Sequence, residues 1–217
     1  MSSGGTSSLI LREIPHRGIA YVRLLTVREP DSLIRESVAF CRQCGAGQVY
    51  VTQGTEPLEG LPHTHDILRL QVEKEKLPPL NQPVNLLPMT PENDAIYQRI
   101  YNRCFSEVPG AATYDRAEIR RIYDLSQEGF LALDEMETPF GMGELHDSEL
   151  AAVGILPEFR RQHLGKPLTL SLLLRCPGPI LTLTAASVNE PALALYDSLG
   201  FRVCGLISRW YMAQEDS

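Results

Sequence analysis

A chain of 217 residues with 43% hydrophobic content can bury one large core, or one core and part of a second. Its longest apolar runs fall short of the roughly 18–20 residues of a membrane span, so a membrane is set aside. The formal charge of −7 repels phosphate backbones, so nucleic acid is set aside as a partner, and it favours cationic substrates such as amines.

The first eight residues, Met1-Ser-Ser-Gly-Gly-Thr-Ser-Ser, have neither a basic region nor an apolar stretch and are expected to form a flexible tail rather than a signal peptide. Ile19–Thr26 is rich in β-formers and reads as a strand. Pro30-Asp31 opens a helix that runs to about Cys44, with Gly45 as its stop. Gln48–Thr52 and Asp66–Val72 are further strands, and His63-Thr-His65-Asp66 is expected to be a solvated polar turn. Cys41-Arg-Gln-Cys44 lacks the second ligand pair that zinc requires and is read as structural, with no metal site. The five cysteines show no disulfide spacing, which suits a reducing, cytoplasmic compartment.

Three prolines between Lys76 and Pro83 cannot continue a helix or an inner strand, and a boundary is placed there. Residues 1–80 are expected to form a small α/β lobe, and 84–217 the main domain. In the latter, Val84–Met89 is a strand. Thr90 caps a helix with Pro91 at its first position, reaching Phe105, and Asp115 caps a second helix to about Leu125. Gly129–Glu135 and Thr138–His146 form a hairpin, followed by the apolar strand Glu149–Leu156. A helix over Leu164–Cys176, a strand over Ile180–Ala185, a helix over Glu190–Leu199 and a long strand over Phe201–Met212 complete the order β-α-α-β-β-β-α-β-α-β. Helix, turn and strand through Cys44–Thr52 echo those through Cys176–Thr184, so the first segment reads as a degenerate half-copy of the second.

Two constellations carry chemistry. In the first, the strand ending Val153-Gly154-Ile155-Leu-Pro157 leads into Arg160-Arg161-Gln162-His163-Leu164-Gly165-Lys166 at a helix start. Free N–H groups and the positive dipole end at such a start hold phosphates. The two arginines add charge, and Gly165 permits close backbone approach. In the second, Asn189 opens a helix carrying Leu195-Tyr196, and Gly200-Phe201 leads into the last strand.

Together, in this order, the two resemble the GNAT superfamily of acyl-CoA-dependent N-acetyltransferases, over roughly Val84 to Met212. The resemblance implies an α+β fold with a mostly antiparallel, splayed sheet and flanking helices, its central strands parting after Ile155. It implies acetyl-CoA as co-substrate, bound by residues 153–155, 160–166, Asn189 and Tyr196. The donor's pantetheine arm would pair along Val153–Ile155, Gly154 would let it come close, and N–H groups near Val153 would polarise the thioester. Tyr196 stands where the family's general acid stands, and Glu149 where some members carry a base, with Glu144 and His146 as substitutes. His163 replaces a family glycine. The implied partner is an amine, small molecule or peptide, and a homodimer stays open. The alternatives are a non-catalytic acyl-CoA-binding regulatory module and an interaction protein.

Overall fold

The computed structural model describes residues 4–108, 110–125 and 127–214. The chain divides into two compact units. One comprises residues up to Leu68, Ala186–Val188 and the stretch from Gly205 on. The other comprises Arg69–Ala185 and Asn189–Cys204. The division therefore falls inside a strand rather than at the proline-rich connector, and the last strand also has residues in both units.

In the first unit, β1 (Gly5–Ile10) pairs antiparallel with β2 (Ile19–Val27), after the short helix α1 (Ile14–Arg17). Of the expected flexible tail, Gly5 to Ser8 are thus strand, and residues 1–3 lie outside the described residues. Serines and threonines hid the strand, and Gly4 and Gly5 serve close packing: a Cβ on Gly4 would sit 2.9 Å from the backbone N of Leu33, and one on Gly5 would overlap Thr26 O. From β2 the chain crosses through α2 (Pro30–Gln43) to β3 (Gln48–Thr52), which lies parallel to β2. Leu33 and Cys41 of α2 share a core with Ala20, Val22, Val49 and Val51. The apolar positions of α2 recur at helical spacing, so one stripe faces the sheet.

Next, β4 (His63–Glu73) begins three residues before the expected strand. His63 and Asp66 stay accessible and bond to each other at 2.8 Å, but His65 is buried. The solvated-turn expectation fails at His65 because strand alternation turns it inward.

In the second unit, β5 (Asn85–Pro88), β6 (Glu128–Leu133), β7 (Pro139–His146) and β8 (Glu149–Ile155) form an antiparallel meander, and β9 (Ile180–Ala186) lies parallel to β8. The helices are α3 (Asp94–Phe105), α4 (Arg116–Asp124), α5 (Gly165–Leu173) and α6 (Glu190–Ser198), and β10 (Arg202–Met212) is the last strand among the described residues. This is the expected element order. No helix among the described residues is long and apolar enough to cross a membrane.

Helix α3 starts at Asp94 rather than after Thr90. Asn93 and Asp94 both donate backbone N–H bonds to Thr90 O, which makes a turn of Pro91–Asn93. Asp115 caps α4 as expected, accepting from Ala117 N at 2.7 Å and Glu118 N at 3.0 Å.

Met142 of β7 belongs to the core that Tyr97, Ile100, Ile119 and Ile122 build under α3 and α4. Its neighbours Gly141 and Gly143 face the other way, and a Cβ on either would strike Leu168 or Leu172 of α5. Alternation along β7 therefore puts α5 on the face opposite α3 and α4.

Candidate active site

The site begins with how β8 meets its neighbours. On β7, Glu144 and Leu145 are adjacent, but their partners on β8 are Ala152 and Leu150. Ala151 is the extra residue of a bulge, which bends the strand and increases its twist. On the other side, β8 pairs with β9 only at Glu149↔Thr182 and Leu150↔Leu183. The strands part after Leu150, five residues earlier than expected, and the edge of β8 from Ala151 to Ile155 is left unpaired by β9.

Beyond β8 a 3₁₀ turn, Pro157–Phe159, leads to Arg160 and then to α5. Leu164 precedes the helix without any side-chain cap, and the first backbone bond of α5 runs from Leu168 N to Leu164 O. The N–H groups of Gly165 and Lys166 thus have no helical acceptor, and Pro167 has no N–H to offer. The side chains of Arg161, His163 and Lys166 are exposed and make no bond within the protein among the described residues. A Cβ on Gly165 would meet nothing nearer than Leu195 Cδ2 at 3.5 Å. Internal packing does not demand that glycine; the open space in front of it does the work of a cradle.

Ile155, this turn and α6 enclose a cleft of about 760 Å³, within the range of small-molecule sites. Its lining includes Phe159, Leu170, Pro191 and Leu195, and a fourth wall comes from Pro79–Gln82 of the connector. Sequence reasoning treated that connector only as a boundary.

Arg160 lines the cleft and is exposed, but its guanidinium bonds back to the protein. Its Nε donates to Ile155 O at 3.2 Å and its Nη2 to Cys104 O at 3.1 Å, so it ties the end of β8 to the end of α3. Gln162 also folds back, donating to Glu158 O at 3.2 Å. Gly154 serves α3 rather than a ligand, because a Cβ there would lie 2.6 Å from Cys104 Cβ. Val153, one residue away, faces the other side and pairs with Gly143.

His163 keeps the left-handed backbone, with φ of 60°, and Arg161 shares it at 61°. A non-glycine residue there costs on the order of 1 kcal/mol. We expect His163→Gly to raise the unfolding midpoint slightly, and β-branched His163→Val to lower stability by about 1–2 kcal/mol. Equal midpoints for His and Val in thermal unfolding would show that the left-handed backbone is not maintained.

Asn189 caps α6, accepting from Ala192 N at 3.3 Å. Tyr196, on the same helix, is 8% exposed and packs against Phe201 with ring centroids 5.9 Å apart. Burial pushes its phenol up to about 12. The hydroxyl forms no hydrogen bond within the protein among the described residues. Neither Tyr196 nor Asn189 nor Glu149 lines the cleft itself. Glu149 is half-buried and stands opposite His146.

One buried carboxylate stands out. Glu144 is 3% exposed and accepts hydrogen bonds from Tyr97 Oη at 3.0 Å and Tyr114 Oη at 3.1 Å. Burial raises its pKa, and the two phenols oppose that rise. A carboxylate so raised loses its proton in the unfolded chain first, near pH 4.3. Stability is then greatest in acid and declines as pH rises from about 4.3 through the folded value. Glu144→Gln should abolish this decline, so that the variant gains on the native protein as pH rises above about 4.3 in thermal unfolding. A constant difference across that range would contradict the assignment.

Comparison with known proteins bears on the fold that holds these residues. Residues 131–211 match the family model described as FR47-like protein. NAA20, the catalytic subunit of the N-terminal acetyltransferase B complex of Arabidopsis thaliana, is 33% identical over 81 residues, covering 35% of this chain and 46% of that protein. The chain thus spans about half the length of this curated relative. A GCN5-related N-acetyltransferase from Sphaerobacter thermophilus superposes with a TM-score of 0.60 at 13% identity, over 95% of this chain and 75% of its own. A tandem GNAT protein from the clavulanic acid biosynthesis pathway does so with a TM-score of 0.53 at 15% identity, over 93% and 77%. A conserved protein of unknown function from Staphylococcus epidermidis gives 0.60 at 14% identity, over 98% and 92%. At such identities these structures speak for the fold.

Proposed function

We propose that the chain is an N-acyltransferase of the GNAT superfamily, taking an acetyl or similar small acyl group from acyl-CoA to an amine by direct attack. The observation that carries this reading is the unpaired edge of β8 beyond Leu150, which ends in the same cleft as the exposed side chains of Arg161, His163 and Lys166 at the start of α5.

Each part of the site has a role in the proposal. The donor's pantetheine arm pairs with Val153–Ile155 as an added strand. The N–H groups of Gly165 and Lys166, with the charges of Arg161 and Lys166, hold its pyrophosphate, and Arg160 supports them by fixing the turn. Backbone N–H near Val153 polarises the thioester carbonyl. The thioester supplies the acyl group. The unpaired hydroxyl of Tyr196 meets the departing thiolate, and Glu149 accepts the proton of the attacking amine, with Glu144 and His146 on the same face of the sheet. Acetyl-CoA as the donor and a cytoplasmic setting belong to the proposal, as does the origin of residues 1–80 as a degenerate half-copy. Both β2-α2-β3 and β8-α5-β9 are parallel βαβ units, but only two residues, Arg28 and Glu29, join β2 to α2, so the first unit lacks a phosphate turn.

Isothermal titration calorimetry with acetyl-CoA, followed by thiol release across an amine panel, tests the reading. Micromolar binding and amine-dependent thiol release are expected. No heat at millimolar acetyl-CoA would end the proposal, and binding without turnover on any amine would favour the regulatory module.

A further inference from the structure

We infer that the proline-rich segment Pro79–Gln82 is the nucleotide-facing wall of the cleft, and that Asn81 and Gln82 read the adenine ring of the acyl donor. This rests on the acyl-CoA reading above and adds a contact outside the two sequence constellations that led to it.

The segment is pinned at both ends. Before it, Lys74 donates from its backbone to Pro179 O at 2.7 Å and from Nζ to Cys176 O at 2.6 Å. After it, Val84 N donates to Ser171 Oγ of α5 at 3.0 Å. Between these anchors, Pro78, Pro79 and Pro83 fix three backbone φ angles, so little freedom is left to lose when a ligand arrives. The tract is therefore a wall in place before binding rather than a loose linker.

The contents of the cleft fix what faces that wall. The unpaired edge of β8 reaches it at Ile155, and the basic turn with the free N–H groups of α5 reaches it from Arg161 to Lys166. A thioester donor whose arm lies along β8 and whose phosphates lie on α5 has only its nucleoside left to place. The remaining wall offers Pro79 and Leu80, which suit a ring face, and two neutral amides. Asn81 and Gln82 are exposed and bond to nothing within the protein among the described residues. A carboxamide presents one donor and one acceptor side by side, the complement of adenine N7 and its 6-amino group.

The test is calorimetric titration of the full chain with CoA and with a CoA carrying hypoxanthine in place of adenine, which keeps N7 and the ring but replaces the amino donor with a carbonyl. The native protein is expected to bind CoA about tenfold more tightly than the analogue. In the double variant Asn81→Ala, Gln82→Ala, CoA should weaken by about tenfold or more and the preference for CoA over the analogue should disappear. Both side chains are exposed, so the fold should survive, which a circular dichroism melt verifies. Tight CoA binding with equal affinity for the analogue would overturn the inference and leave the acyltransferase reading standing. Absence of CoA binding by the native protein would overturn both.

Discussion

Replacing Tyr196 with phenylalanine is expected to lower kcat by about 10²-fold while leaving the calorimetric Kd for acetyl-CoA within about twofold. The ring of Tyr196 fills buried space beside Phe201, and phenylalanine fills the same space. The hydroxyl has no hydrogen bond within the protein among the described residues, so its removal orphans no partner and should leave the unfolding midpoint nearly unchanged. A lower kcat at unchanged stability and donor affinity would separate proton delivery from packing. With the phenol held up at about 12, the group keeps its proton through the working range, so native kcat should show no descending limb from it below about pH 11. Unchanged kcat in the variant would remove Tyr196 from the mechanism.

The resemblance that singled out Tyr196 came from spacing, and spacing reports backbone topology better than side-chain direction. The turn from Pro157 to Gly165 was readable because a strand end, a basic run and a glycine at a helix start are adjacent in the chain. That Arg160 bends back to Ile155 O and Cys104 O was not readable, since its second acceptor is 56 residues away. The same holds for Gly154, whose missing side chain admits Cys104 and not a ligand. Its neighbours on β8 suggested an open edge, and nothing local told which face α3 would cover. His163 was read as a departure from glycine, yet it adopts the backbone that the glycine would take. The fold carries a conformation that the residue type alone argues against. The pair Tyr97 and Tyr114 around Glu144 joins α3, the stretch before α4 and β7 across up to 47 residues and left no mark in the spacing. The connector's part in the cleft escaped for a different reason. Proline runs say where regular structure stops, and say nothing about what the stopped chain lies against.

Gly143→Ala is expected to destabilise the protein by about 2–3 kcal/mol, the upper part of the range for overpacking. The added Cβ would overlap both δ-methyls of Leu172 and lie 2.9 Å from its Cγ. Leu172 is fully buried, so its side chain has no empty space to enter, and either α5 or β7 must shift. At this chain length the loss corresponds to a drop of roughly 4–12 °C in the unfolding midpoint. Leu172→Ala alone should also destabilise, by about 2–5 kcal/mol, through the cavity it leaves. The two changes are complementary, since the second removes the atoms that the first strikes. A double-mutant cycle should therefore show the pair costing less than the sum of the singles by about 1 kcal/mol or more, as expected for residues in direct contact. Additive effects would mean that the contact between β7 and α5 is looser than the structure has it. The consequence for function follows from register. Gly143 is paired with Val153, and Leu172 lies on the helix whose first turn faces the cleft. A shift between β7 and α5 moves the unpaired edge of β8 against the N–H groups of Gly165 and Lys166. Gly143→Ala should accordingly weaken acetyl-CoA binding at temperatures where the variant is still folded, and Leu172→Ala in the same chain should restore part of it. Donor affinity that stays at the native level in folded Gly143→Ala would separate the packing of β7 on α5 from the geometry of the cleft.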